Sequence, residues 1–136
     1  MYDIIYVDMV ADLFHSGHVE YLKQCKMMCS VLKVGIHNDE DVKKYKRTPV
    51  MTMEERIKVV ESCKYVNEVI PNAPLQLVPD FLLLHNVERV VHANDLSLQS
   101  IQYMYGAIFD KLLFVPYTAG ISTTEIIKRI KSREDL

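Results

Sequence analysis

Five short runs of β-branched and aromatic residues alternate with stretches of helical periodicity, and few folds accommodate that alternation. The runs are Ile4 to Val7, Val31 to Ile36, Glu68 to Ile70, Arg89 to His92 and Leu112 to Val115. Helices are predicted at His18–Met28, Asp39–Tyr45, Thr52–Tyr65, Pro79–His85, Ser97–Ala107 and Ser122–Ile130. Strand–helix alternation implies an α/β fold with a five-stranded parallel sheet, because parallel neighbours need a long crossover and a helix provides it. A chain of 136 residues, 49% hydrophobic, can bury one core, so a single domain over residues 1–136 is expected.

Several helices carry start signals. Thr52-Met53-Glu54-Glu55 and Ser122-Thr123-Thr124-Glu125 have the capping-box form, in which a hydroxyl and a glutamate three residues on satisfy free backbone N–H groups. Pro79 suits a first helical position.

Charge and hydropathy exclude several functions. A formal net charge of -2 leaves no broad basic surface, so nucleic acid is not an expected partner. The longest apolar stretches, Phe81 to Leu84 and Leu112 to Pro116, fall far short of the roughly 20 residues that span a bilayer. The first eight residues read as a buried strand rather than an export signal, so a cytoplasmic location is expected. The chain ends soon after its last helix, and regulation by a lipid-sensing tail is not expected. Cys25, Cys29 and Cys63 form no CxxC pair; Cys25 and Cys29 read as small buried apolar residues, and no protein-held metal is expected.

Four segments could carry chemistry. Asp12-Leu13-Phe14-His15-Ser16-Gly17-His18 follows the first strand and opens the first helix, where an open α/β sheet places its ligands. His15 and His18 would direct their imidazoles to one side beside free N–H groups, an arrangement suited to phosphate; the plainer reading is capping. Lys43-Lys44-Tyr45-Lys46-Arg47 concentrates four positive charges, either as a solvated face or as a loop above an anion. Gly120-Ile121-Ser122-Thr123-Thr124-Glu125 combines a capping box with hydroxyls that could hold outer phosphates. Val91-His92-Ala93-Asn94-Asp95 ends a strand with polar groups, as a ligand-facing edge or a simple turn.

In this order the segments resemble the cytidylyltransferase family, His-x-Gly-His nucleotidyltransferases on a Rossmann-like, doubly wound parallel sheet. Asp12 to His18 looks like the family's Asp-Leu-Phe-His-Ser-Gly-His, Gly120 to Thr124 like its Gly-Ile-Ser-Thr-Thr, and Lys64-Tyr65-Val66-Asn67-Glu68-Val69 like its Arg-Tyr-Val-Asp-Glu-Val. Asn72-Ala73-Pro74 and Val50-Met51 followed by Glu55-Arg56 are most similar to choline-phosphate and ethanolamine-phosphate members. The resemblance implies transfer of CMP from CTP to a phosphorylated small alcohol, releasing pyrophosphate and forming a CDP-alcohol, with Mg2+ neutralising the triphosphate.

It also implies roles. His15 and His18 would stabilise the α-phosphate, and Lys46 would approach it from a loop. Ser122 and Thr123 would hold the outer phosphates, Asp12 would orient the site, Arg56 would support phosphate binding, and His92, Asn94 and Asp95 would help form the base pocket. Gly17, Tyr117, Thr118, Gly120 and Ile121 complete the nucleotide-binding set, and Asp8 would face the acceptor's amine. A homodimer through Lys64 to Val69 is implied as well.

Departures from the family pattern keep other readings open. Met9 stands where relatives have glycine, Ala11 where they have Phe or Tyr, Tyr117 replaces an arginine and Ala119 a glutamate. Loss of the arginine removes a charge-assisted hydrogen bond worth roughly 1.5–3 kcal/mol. Positions of the aromatic cage that binds quaternary ammonium are Leu75 and Leu98, which favours ethanolamine over choline. The alternatives are a nucleotide-binding protein with little turnover and an ATP-using adenylyltransferase. Imidazoles beside a polyanion should be protonated, so activity is expected to fall at high pH.

Overall fold

A computed structural model describes residues 1–136. Its five strands are β1 (Tyr2–Met9), β2 (Cys29–Ile36), β3 (Glu68–Ile70), β4 (Arg89–Ala93) and β5 (Leu112–Val115). The helices are α1 (Ser16–Lys26), α2 (Asp39–Lys43), α3 (Met53–Glu61), α4 (Pro79–Leu84), α5 (Leu98–Tyr105) and α6 (Thr123–Ser132), with a 3-10 turn at Gly106–Lys111. Every strand pair is parallel, in the order β3-β2-β1-β4-β5. Chain direction across the sheet reverses between β1 and β4, which opens a crevice at their carboxyl ends where doubly wound sheets bind ligands.

Consecutive apolar residues in β1 are explained by burial on both faces. Ile5 and Val7 point to one side, with Leu22 and Cys25 of α1 and Val60 of α3, and all five are wholly buried. Tyr6, on the opposite side, packs with Leu77, Leu82, Val90, Tyr105 and Ile108. Cys25 and Cys29 are buried, and burial pushes the Cys25 thiol up to about 12, so both serve as inert core residues.

Boundaries differ from the sequence expectation at particular places. The α3 helix ends at Glu61 rather than Tyr65, because the chain turns at Cys63 to Val66 and Asn67 anchors on β2, its Oδ1 accepting from Leu32 N at 2.8 Å. The α5 helix stops at Tyr105, beyond which Ile108 is non-helical. Strand β1 is longer than expected because Tyr2 and Met9 both pair with β2. The box at Thr52 and Glu55 closes in both directions, while Ser122 accepts from Glu125 N.

Candidate active site

At the carboxyl end of β1 the chain passes through Ala11 and Leu13, both in the left-handed region at φ 58 and 49. Such backbone costs on the order of 1–2 kcal/mol per residue and persists where neighbours hold it. What holds it is Asp12, between the two. This buried carboxylate accepts from Val50 N at 2.8 Å and Met51 N at 2.9 Å, and its backbone oxygen accepts from Thr123 Oγ1 at 2.9 Å. Asp12 therefore ties the start of α1, the loop after α2 and the start of α6 into one unit.

The histidines form a capping box with each other. Gly17 N donates to His15 Nδ1 and His15 N donates to His18 Nδ1, each at 3.0 Å. A backbone N–H can only donate, so both Nδ1 atoms are unprotonated and each neutral ring carries its proton on Nε2. The rings lie 3.9 Å apart, and Phe14 stacks on His18 at 5.2 Å. The cap uses one nitrogen of each ring and leaves the other as a donor.

Both rings line a cavity of about 660 Å³, a volume usual for small-molecule sites. Gly17 is required there, because a Cβ would stand 2.8 Å from the His15 ring and 3.1 Å from Ile121. The same close approach brings the start of α1 against the start of α6, so Ile121, Ser122 and Thr123 share the cavity with the histidines. Asp8, Asp12, Lys46, His92, Asp95, Tyr117 and Thr118 line it as well.

Hydroxyl roles are redistributed relative to expectation. Thr123 gives its proton to Asp12, so it cannot donate to phosphate. Ser122 Oγ accepts from Glu125 N and keeps its own proton free. Thr118 Oγ1 is buried without a partner and is a second hydroxyl with a donor to spare. Gly120, at φ 103, supplies the turn before α6 rather than a cavity wall.

Two other expected residues lie outside the cavity. Asn94 accepts from Tyr117 N at 3.0 Å and fastens the end of β4 to the chain leaving β5. Arg56 does not reach a phosphate position, because its guanidinium is wholly buried and committed to Met51 O, Val10 O and Asp39.

At the deep end, Asp8 Oδ1 accepts from Tyr105 Oη at 2.6 Å, while His37 Nε2 stands 3.5 Å from Oδ2. Burial pushes the Asp8 carboxyl up, but His37 and the Tyr105 hydroxyl outweigh it and hold the group below the usual carboxylate range. Asp8 Oδ2 and His37 Nε2 have no hydrogen-bond partner. No lysine or arginine pairs with Asp8.

The sequence pattern described as Cytidylyltransferase-like matches residues 10–129. The chain belongs to the cytidylyltransferase-like family. It is 41% identical over 132 residues to choline-phosphate cytidylyltransferase A of Mus musculus, covering 93% of this chain and 36% of that protein. It is 38% identical over 129 residues to ethanolamine-phosphate cytidylyltransferase of Dictyostelium discoideum, covering 93% of this chain and 36% of that protein. This cytidylyltransferase-like chain thus spans about a third of the length of these curated relatives. A lipopolysaccharide core biosynthesis protein from Thermoplasma volcanium shares the fold at TM-score 0.69 and 16% identity, over 88% of this chain and 98% of that one. Pantothenate synthetase from Thermus thermophilus does so at TM-score 0.62 and 13% identity, over 96% of this chain and 64% of that one.

Sequence reasoning missed His37 in this cytidylyltransferase-like site. The signal was available, since His37 follows β2 as the His92 group ends β4, at the sheet edge that faces ligands. Tyr45 was passed over too; its hydroxyl lies 3.2 Å from His37 Nδ1.

Charge states revise the expected pH behaviour. Burial, the His15 charge and Lys46 lower the His18 pKa to about 4, and burial lowers that of His15, so the free site holds neutral imidazoles rather than protonated ones. Lys46, exposed at the mouth, is also pulled down, by partial desolvation and then by Arg47. Between pH 6.5 and 4 the unfolded chain binds a proton at His18 that the folded chain does not. Stability is therefore complete above the unfolded value and is lost as pH falls through that window, by on the order of 2 kcal/mol. Urea unfolding at pH 7 and pH 4.5 checks this, and His18→Asn is expected to flatten the slope.

Proposed function

We propose that this chain carries a CTP-dependent cytidylyltransferase site that joins CMP to a phosphorylated small alcohol. The observation that carries the reading is convergence: two Nε2–H donors, Lys46, the free Ser122 hydroxyl and the start of α6 line one cavity. Donors fixed in advance suit a reaction whose transition state places charge on equatorial phosphate oxygens. An oxygen of the acceptor's phosphate bonds to the α-phosphorus, the bond to the β-phosphate bridging oxygen breaks, and pyrophosphate leaves. His15 and His18 steady the α-phosphate through neutral hydrogen bonds, and Lys46 adds charge as it closes on the same oxygens.

No group of three His, Cys, Asp or Glu is placed to hold a metal. Magnesium is proposed to enter on the triphosphate, where it neutralises charge. The nucleoside end would lie toward His92 and Asp95, whose side chains face the cavity from the β4 edge.

Ethanolamine phosphate is the better-fitting acceptor. Asp8 is a buried carboxylate with one oxygen lacking a hydrogen-bond partner, and a primary ammonium brings N–H donors that a quaternary one lacks. Leu98 is 85% exposed, and neither Leu75 nor Leu98 lines the cavity, so no aromatic cage forms from those positions. A homodimer is proposed through Lys64 to Val69, which leads into the edge strand β3 and could meet a second copy there.

Pyrophosphate release from CTP should be measured with ethanolamine phosphate, choline phosphate and glycerol phosphate, beside thermal shifts with CTP and ATP. Ethanolamine phosphate is expected to give the highest kcat/KM, and CTP the larger shift, about 2.7 kcal/mol at 100 times its Kd. Stabilisation by CTP without pyrophosphate from any acceptor would favour the binding-only reading, and a larger shift with ATP the adenylyltransferase one.

A further inference from the structure

Lys46 makes no ion pair with any carboxylate; its contact is with the neighbouring Tyr45 ring, 5.8 Å from the ammonium to the ring centre. Its position is therefore set by backbone at the two ends of its loop. The near end leaves α2, where Lys46 N donates to Val42 O at 2.9 Å. The far end is Met51, held at both of its backbone polar groups: its N–H donates to Asp12 and its carbonyl accepts from Arg56 Nε at 3.2 Å.

Arg56 joins the far end of the loop to the start of the helix that precedes it. Nη2 meets Asp39 Oδ1, at the start of α2, at 2.6 Å, and Nη1 meets Val10 O, in the segment leading to the histidines, at 2.6 Å. A planar guanidinium with fixed donor directions suits such a three-way junction, and an ammonium does not. One wholly buried side chain thus links the start of α2, the end of the Lys46 loop, and the backbone that leads to His15 and His18.

We infer that the Arg56–Asp39 pair is a positioning device for Lys46, holding its loop at a fixed distance from the paired imidazoles before nucleotide arrives. The inference rests on the reading of Lys46 as a cation facing the α-phosphate. Asp39 is the accessible half of the pair, with its side chain 39% exposed, so it can be changed without emptying the core.

The test uses the full chain carrying Asp39→Asn, with Asp39→Glu as the conservative control, each also combined with Lys46→Ala. Limited trypsin digestion reads the loop directly through Lys43, Lys44, Lys46 and Arg47, with Lys58 inside α3 as an internal reference. Asp39→Asn is expected to speed loop cleavage about tenfold relative to Lys58, as local opening becomes easier. Turnover of CTP should fall about tenfold with Lys46 present and less than twofold in the Lys46→Ala background, because coupled residues are non-additive. Asp39→Glu should recover most of the loss. Unchanged loop cleavage, or equal turnover losses in both backgrounds, overturns the inference. If the unsubstituted chain turns over no acceptor, the proposed function fails, and loop cleavage alone decides whether the device exists.

Discussion

Replacing His18 by alanine is expected to lower CTP turnover by about 10²–10³-fold while leaving the chain folded. The rate effect follows from removing one preorganised donor aimed at developing charge. The accompanying structural loss is small, because His18 contributes one acceptor to the α1 cap, worth about 1 kcal/mol. His18→Asn is informative beside it, since an amide can keep some of the cap yet cannot place a donor where Nε2 stands. His15→Ala should behave similarly, its ring being fixed by the same box. Steady-state kinetics with thermal melting separates the two contributions: a loss in rate that merely followed Tm would count against direct phosphate contact.

Asp12→Ala is expected to have the largest effect on stability. Its carboxylate satisfies two backbone N–H groups, and Asp12 itself is only 5% exposed. Removing the acceptor from two part-buried backbone N–H groups costs roughly 1–3 kcal/mol each, least at the exposed Val50. The strained backbone at Ala11 and Leu13 loses its tether in the same step. Together these predict about 2–5 kcal/mol, a fall in Tm of roughly 10–20 °C for a chain of this size. Differential scanning calorimetry measures it, and a shift below about 3 °C would mean that the loop is held by other contacts.

Strand–helix alternation made the sheet legible, because burial on both faces writes continuous apolar runs such as Ile4 to Val7. The order of strands, and with it the crevice between β1 and β4, is set by which strands pair across the sheet and is not written in any local run. The paired histidines were legible as a local motif, since His15 and His18 lie three apart. What local spacing could not show was how distant segments are shared. Arg56 looked like a phosphate ligand, yet its partners at Val10, Met51 and Asp39 come from three separate segments. Thr123 looked like a spare hydroxyl, yet it donates to the backbone oxygen of Asp12, 111 residues away. Element ends were misread for a similar reason: Asn67 stops the α3 region by binding Leu32 on another strand.

The central claim is that two imidazoles, fixed as Nε2–H donors, and the start of α6 meet on one triphosphate. A crystal structure with CTP bound tests it most directly. The α-phosphate oxygens are expected at about 2.7–3.2 Å from Nε2 of both His15 and His18, with the outer phosphates against Ser122 and Thr118. A triphosphate bound elsewhere on the chain, or an α-phosphate out of reach of both rings, would contradict it.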